Sequence, residues 1–126
     1  MNVVDSSGWL EYFADGPNAD FFAPPIEDTI NLIVPSISIY EVFKRVLIQR
    51  GEVEAIEKAA LMAQGRVIDL DQTIAISAAV NSFDHKIPMA DSIIYSTARQ
   101  FDATLWTQDV DLAGLEGVKY AAKMLP

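Results

Sequence analysis

The stretch Asn2-Val3-Val4-Asp5-Ser6-Ser7-Gly8-Trp9-Leu10-Glu11-Tyr12-Phe13 decides the fold. Val3 and Val4 carry β-branched side chains that favour extended backbone on a packed surface. Asp5 ends the run, and Ser6 or Ser7 can cap a helix on which Trp9, Leu10 and Phe13 recur at helical spacing. A strand therefore gives way to a helix within a few residues, with an acid at the junction.

The same change of period recurs further along. After the turn Asp15–Asn18, Ala19–Ala23 can form a short helix that Pro24 and Pro25 should stop. Ile30–Val34 is a second strand closed by Pro35; from Ser36 or Ser38 a long helix follows, with Ile39, Val42, Phe43, Val46 and Leu47 on one stripe and Gly51 beyond it. Glu52–Gln64 has helical spacing through Val53, Ile56, Ala60 and Leu61, with Gly65 ending it, and Val67–Leu70 is a third strand. Asp71 can cap a helix that turns Ile74, Ala78 and either Val80 or Ala79 inward before a polar loop, Ser82–Lys86. Pro88 suits the first turn of another helix running to about Phe101, and Ala103–Trp106 and Val118–Ala121 are the fourth and fifth strands. Strands alternating with long helices require crossover connections, hence a mostly parallel sheet of about five strands between two helix layers. The expectation is a three-layer α/β/α sandwich in a single domain, residues 1–126.

Composition narrows the chemistry. The chain is 51% hydrophobic and 21% charged over 126 residues, enough apolar content to fold without disulfides or a structural metal. No stretch approaches the roughly 20 apolar residues of a membrane span, and no basic segment precedes the first apolar run, so a soluble cytoplasmic protein is expected. Without cysteine there is no thiol nucleophile or Cys-containing zinc site, and one histidine, His85, cannot supply paired-imidazole chemistry. The glycines form neither GxxxxGK nor GxGxxG. Chemistry, if any, rests on carboxylates. Eighteen acidic against nine basic residues give a net charge of −9, which repels phosphate backbones at long range and attracts a basic partner; it also simply keeps a protein soluble.

Four carboxylates stand at element junctions: Asp5, Glu41, Asp91 and Asp109. In parallel sheets ligands bind beyond the carboxyl ends of the strands, where Asp5 and Asp109 can meet, and the helices bearing Glu41 and Asp91 can direct their N-termini there. Each acid also has a structural explanation. Ser38 with Glu41 fits an S-x-x-E capping box, Asp91 complements a helix dipole, and Asp109 can cap the turn that follows it. Together, however, converging like charges need protonation, a basic group or a cation. An all-oxygen set suits Mg²⁺ or Mn²⁺, which supports phosphoryl chemistry without histidine or cysteine.

The pieces VVDSSGWLEYF, PSISIYEVFKR around Glu41, IPMADSIIYSTA around Asp91 and LWTQDVDL around Asp109 resemble the PIN domains, and among them the VapC-like toxins of toxin–antitoxin pairs. The resemblance covers nearly the whole chain, and the motifs are short but ordered. It implies a metal-dependent endoribonuclease with Asp5, Glu41, Asp91 and Asp109 as the acidic quartet, and Asp5 and Asp91 as ligands of Mg²⁺, for which Mn²⁺ can substitute. It matches Asp111 to a further acidic position and Ser7 and Thr107 to hydroxyls that orient carboxylates. Leu112 stands where phenylalanine is common. A homodimer and a basic antitoxin whose tail fills the active-site groove are implied as well.

Lys44 and Arg45, at i+3 and i+4 from Glu41, can meet RNA or antitoxin near the metal, or pair with Glu41 itself. Trp9, Trp106, Tyr40 and Tyr95 are candidates for stacking on bases, although core packing accounts for most such residues. His85 has no assigned role, and Arg99 fits a helix-dipole complement. Two other functions compete with this one: a phosphoacceptor receiver-like domain and a non-catalytic PIN-like binding module. A receiver needs adjacent acids after the first strand, where this chain has serines after Asp5, and the complete quartet counts against a module that has lost its metal.

Overall fold

Val3 and Val4 are both fully buried, yet they belong to different cores. Successive residues of a strand point to opposite faces, so a strand buried on both faces must lie between two layers. A computed structural model describes residues 1–125, so the last residue of the expected 1–126 span lies outside the described residues. The strands are β1 (Asn2–Val4), β2 (Leu32–Pro35), β3 (Arg66–Ile68), β4 (Thr104–Thr107) and β5 (Val118–Tyr120). The helices are α1 (Ser6–Phe13), α2 (Ala19–Glu27), α3 (Ser36–Arg50), α4 (Glu52–Met62), α5 (Gln72–His85) and α6 (Met89–Gln100), with 3₁₀ turns at Thr29–Asn31 and Val110–Leu112.

The sheet order is β3-β2-β1-β4-β5, and every pairing is parallel. Val4 and Val34 pack with Trp9, Phe22, Val42 and Met62 on one face; Val3, Ile33 and Leu105 pack with Ile94, Ala98 and Leu112 on the other. The three-layer α/β/α sandwich is thus present, with its sheet wholly rather than mostly parallel. From β1 the chain builds outward through β2 to β3, then returns to place β4 and β5 on the other side. The switch between β1 and β4 leaves a crevice at the strands' carboxyl ends.

Several local expectations are corrected. Helix α2 runs through Pro24 and Pro25, because Phe22 and Ile26, four residues apart, are both buried and the proline φ is compatible with helix. Ile30 lies in a 3₁₀ turn, 89% exposed, so the second strand starts only at Leu32. In α4 the inward residues are Ala55 and Met62, whereas Val53 and Ile56 are exposed; the helix packs on α3 through its small-residue side. The supposed loop Ser82–Lys86 is the last turn of α5, ended by Lys86 in the left-handed region at φ 56°. Among the described residues no helix is long and apolar enough to cross a membrane.

Candidate active site

Asp5 continues the β1 ladder by one bond, its N–H donating to the Trp106 carbonyl at 3.0 Å, and then becomes the N-cap of α1. The cap is the acid, not Ser6 or Ser7 as the sequence suggested. Asp5 Oδ1 accepts from the Ser6 N–H at 2.8 Å, which frees both serine hydroxyls. Ser7 Oγ donates to Asp5 Oδ2 at 3.1 Å, and Ser6 Oγ reaches across to Glu41 Oε1 at 2.7 Å.

Thr107, the last residue of β4, donates from Oγ1 to Asp5 Oδ2 at 2.9 Å and accepts from the Asp109 N–H at 2.9 Å. One buried hydroxyl thereby fixes two acids that are 104 positions apart, since β1 and β4 are neighbours. Asp109 in turn accepts from the Asp111 N–H at 2.9 Å, so it caps its 3₁₀ turn and faces the cleft as well. Asp91, in the first turn of α6, completes the group: Asp5, Asp91 and Asp109 each offer a carboxylate oxygen within 4.8 Å of the others. Glu41 lines the same cleft from the second turn of α3, outside that triplet. The Ser38–Glu41 capping box does not form. Helix α3 starts at Ser36, and the Ser38 hydroxyl is buried without a partner among the described residues.

Burial pushes the Asp5 carboxyl above its ordinary range, opposed by the hydrogen bonds from Thr107, Ser7 and the Ser6 N–H, with the Asp109 charge adding to the rise. Asp91 is raised to about 7, first by burial and then by the charges of Asp5, Asp109 and Glu41. Closely placed like charges on a half-buried surface hold a proton into the neutral range unless a cation replaces it. The donor set is entirely oxygen. Its oxygens, all within 4.8 Å of one another, lie on the scale of an octahedral Mg²⁺ shell, about 4.2 Å between opposite ligands, so the residues fit such an ion.

The cleft encloses about 430 Å³. Tyr40, Lys44, Arg45 and Ile48 line the cleft from α3 alongside Glu41. Neither Lys44 nor Arg45 has a carboxylate within 4.0 Å among the described residues, so the alternative of pairing with Glu41 is not realised. Of the four aromatic candidates only Tyr40 faces the cleft, 62% exposed, with Lys44 Nζ 5.9 Å from its ring centroid. Trp9 and Tyr95 are buried, and Trp106 is half-buried, its Nε1 donating to Asn2 Oδ1. Asp111 is exposed and outside the cleft. His85 packs edge-on to Tyr95, and Arg99 pairs with Glu116 at 3.3 Å.

A buried amide pair escaped the sequence reading. Asn18 Nδ2 donates to Gln108 Oε1 and to the Ala122 carbonyl, each at 3.0 Å, and Gln108 Nε2 donates to the Ser7 carbonyl at 3.4 Å. These bonds tie the start of α1 to the chain on either side of β5. Nothing local marks them, because the partners lie 90 and more residues apart.

The PIN domain family model matches residues 3–118. No curated protein matches the chain by sequence. Solved structures do: a toxin–antitoxin complex from Klebsiella pneumoniae superposes with a TM-score of 0.80 at 20% identity, over 94% of this chain and 96% of that one. A sarcin-ricin loop cleaving VapC toxin from Mycobacterium tuberculosis gives 0.73 at 16% identity, covering 94% and 99%. A DNA-bound VapBC complex from Salmonella typhimurium gives 0.72 at 11%, covering 97% of each chain. At these identities the likeness is one of fold.

Proposed function

We propose, from the premise that this chain belongs to the PIN domain family, that it is a divalent-metal-dependent endoribonuclease acting in the cytoplasm as the toxin of a toxin–antitoxin pair. The observation that carries the reading is the convergence of Asp5, Asp91 and Asp109 from the end of β1, the start of α6 and the turn after β4. Asp5 and Asp91 would hold Mg²⁺ or Mn²⁺, with Asp109 and Glu41 completing the acidic surround. Such an ion, when bound, activates water and offsets charge developing on phosphoryl oxygens.

The chain's own groups do the positioning. Thr107 and Ser7 hold the Asp5 carboxylate by both hydroxyls, and Ser6 holds Glu41, so the acids keep their geometry despite mutual repulsion. Lys44 and Arg45 supply the positive wall that an RNA phosphate needs beside so acidic a centre. Asp91, raised to about 7, is close to half protonated at neutrality, so a bound cation would favour its ionised form.

The test is a nuclease assay on total RNA with Mg²⁺, with Mn²⁺ and with chelator, using Asp5→Asn as the control for contaminants. Cleavage that needs the ion and leaves 5′-phosphate and 3′-hydroxyl ends is expected. Full activity in chelator, or 2′,3′-cyclic phosphate ends, would rule the reading out.

The antitoxin part rests on charge and on kinship of fold with chains from toxin–antitoxin complexes. A net charge of −9 and a carboxylate-lined cleft suit an arginine-bearing tail, which can make charge-assisted, bidentate bonds where the ion would sit. Inhibition by such a peptide should weaken as Mg²⁺ rises. Self-association into a homodimer belongs to the same proposal, supported by an apolar stripe left uncovered on α5.

A further inference from the structure

The acidic triplet does not lie at the end of a cleft. It lies between two grooves. The first runs toward α3 and holds Tyr40, Lys44 and Arg45. The second, of about 490 Å³, shares Ser7 and Asp109 with the first and continues over Gln108 and Val110 to Tyr120 and Lys123. The two open on opposite sides of the β1/β4 switch, one toward β2 and the other toward β5, which are three inter-strand spacings or about 14 Å apart. A few nucleotides of extended strand bridge that distance.

The second groove repeats the chemistry of the first on a smaller scale: one aromatic ring and one cation without a carboxylate within 4.0 Å among the described residues, where the first has one ring and two such cations. Tyr120 is 37% exposed at the end of β5, and Lys123 lies three residues beyond it. The floor is fixed. The Ala121 N–H donates to the Thr107 carbonyl at 3.1 Å, and Asn18 holds the Ala122 carbonyl while also bonding Gln108, so Tyr120 and Lys123 flank backbone tied to the acid-bearing elements. In a chain with twice as many acids as bases, placing free cations on both flanks of the carboxylates opposes the general repulsion of a polyanion where it matters.

We infer that an RNA strand crosses the acids from groove to groove, with Tyr40, Lys44 and Arg45 gripping it on one side of the reacting phosphate and Tyr120 and Lys123 gripping it on the other. The inference rests on the ribonuclease reading and adds a second substrate subsite to it. Each ring offers a stacking face, which accepts any base, and each cation a phosphate contact. Substrates must then extend on both sides of the cleaved bond.

The experiment pairs protein variants with substrate length. A single-stranded RNA oligomer cleaved at one mapped bond is shortened stepwise from either end, and kcat/KM is measured for the native chain, Tyr120→Ala, Lys123→Ala and Tyr40→Ala, with Lys58→Ala as a remote control and melting curves to confirm folding. Tyr120→Ala and Lys123→Ala should each lower kcat/KM about tenfold on the full oligomer, as loss of one stacked base or one phosphate contact does. Their losses should not multiply with shortening at one end, while the Tyr40→Ala loss should not multiply with shortening at the other; Tyr120→Phe should restore activity. Losses that multiply with shortening at both ends, or no loss at all, would overturn the subsite. If no RNA is cleaved with either ion, the ribonuclease reading fails, and the groove is judged by photocrosslinking of a 4-thiouridine oligomer: adducts on Tyr120 or Lys123 support it and their absence overturns it. Protection of those residues by polyarginine but not by RNA would assign the groove to a protein tail instead.

Discussion

Asp91 meets Asp5, Asp109 and Glu41 on a half-buried surface, and its carboxyl rises to about 7 from an unfolded value of 3.8. Between those values the folded chain keeps a proton that the unfolded chain has lost. The group's contribution to stability is therefore full below the unfolded value and declines as pH rises through the folded one, and Asp5 acts in the same direction. The metal-free protein should melt at lower temperature as pH is raised from about 5 to about 8, whereas Mg²⁺ should raise the melting temperature more at the higher pH, where the carboxylates are free to bind it. Calorimetry with and without chelator checks both; a metal-free melting temperature that climbs across this interval would contradict the geometry. Replacement of single groups gives a second check. Asp5→Asn and Asp91→Asn should each reduce RNA cleavage by more than about 100-fold, and Thr107→Val, which removes the hydroxyl shared by Asp5 and Asp109, by roughly 10- to 100-fold. Asp71→Asn keeps an oxygen for its cap, and Asp84 is exposed on α5, so both variants should stay within about twofold of the native rate.

At the scale of elements, α1 brings Ser6 and Ser7 to the acids because it can lie close to α2, and Gly8 allows that approach. A Cβ there would stand 2.6 Å from Phe22 Cε1 and 2.8 Å from Val4 Cγ1, so Gly8→Ala should destabilise by about 1–3 kcal/mol in denaturant titrations and lower activity with it. Ser38 gives the opposite expectation. Its buried hydroxyl has no partner among the described residues, so Ser38→Ala should be neutral or stabilising by up to about 1 kcal/mol, where loss of a working cap would cost about that much. These two positions also mark what the sequence can disclose. The alternation of strand and helix is legible because Val3, Val4 and the run after Leu32 have period two or are apolar throughout, and the helices have period 3.6. The cap at Asp5 is not legible because Ser6 and Ser7 are equally good capping residues, and only the β4 neighbour, through Thr107, holds the Asp5 carboxylate at the helix start. The inward face of α4 was misassigned because Val53 and Ile56 outweigh Ala55 in hydrophobicity, although the small residue is the one that fits against α3. Of the candidate site, the four acids and Lys44 and Arg45 were legible as element junctions and helix spacing. The Asn18–Gln108 pair and the second groove were not, since they depend on β5 lying beside β4.

Across the whole molecule, charge and apolar surface are unevenly placed. Ile76, Val80 and Phe83, on one side of α5 and 58%, 53% and 83% exposed, form a stripe left open among the described residues, where Val80 or Ala79 was expected to face inward. If this stripe joins two copies, Phe83→Glu should shift sedimentation toward the monomer while leaving far-UV circular dichroism unchanged; identical sedimentation of both proteins would place the contact elsewhere. The acids themselves are scattered along the chain at 5, 41, 91 and 109, and the hydrogen bond that holds the first of them spans 102 residues. The central strand β1 gains its second neighbour only when β4 exists. A ribosome emits a domain at about 5–20 residues per second, so for several seconds the emerging chain carries its leading acid without the threonine that orients it. The carboxylate site is thereby left unassembled until residues 104–107 have left the exit tunnel, so its completion is tied to the last fifth of the chain to be made.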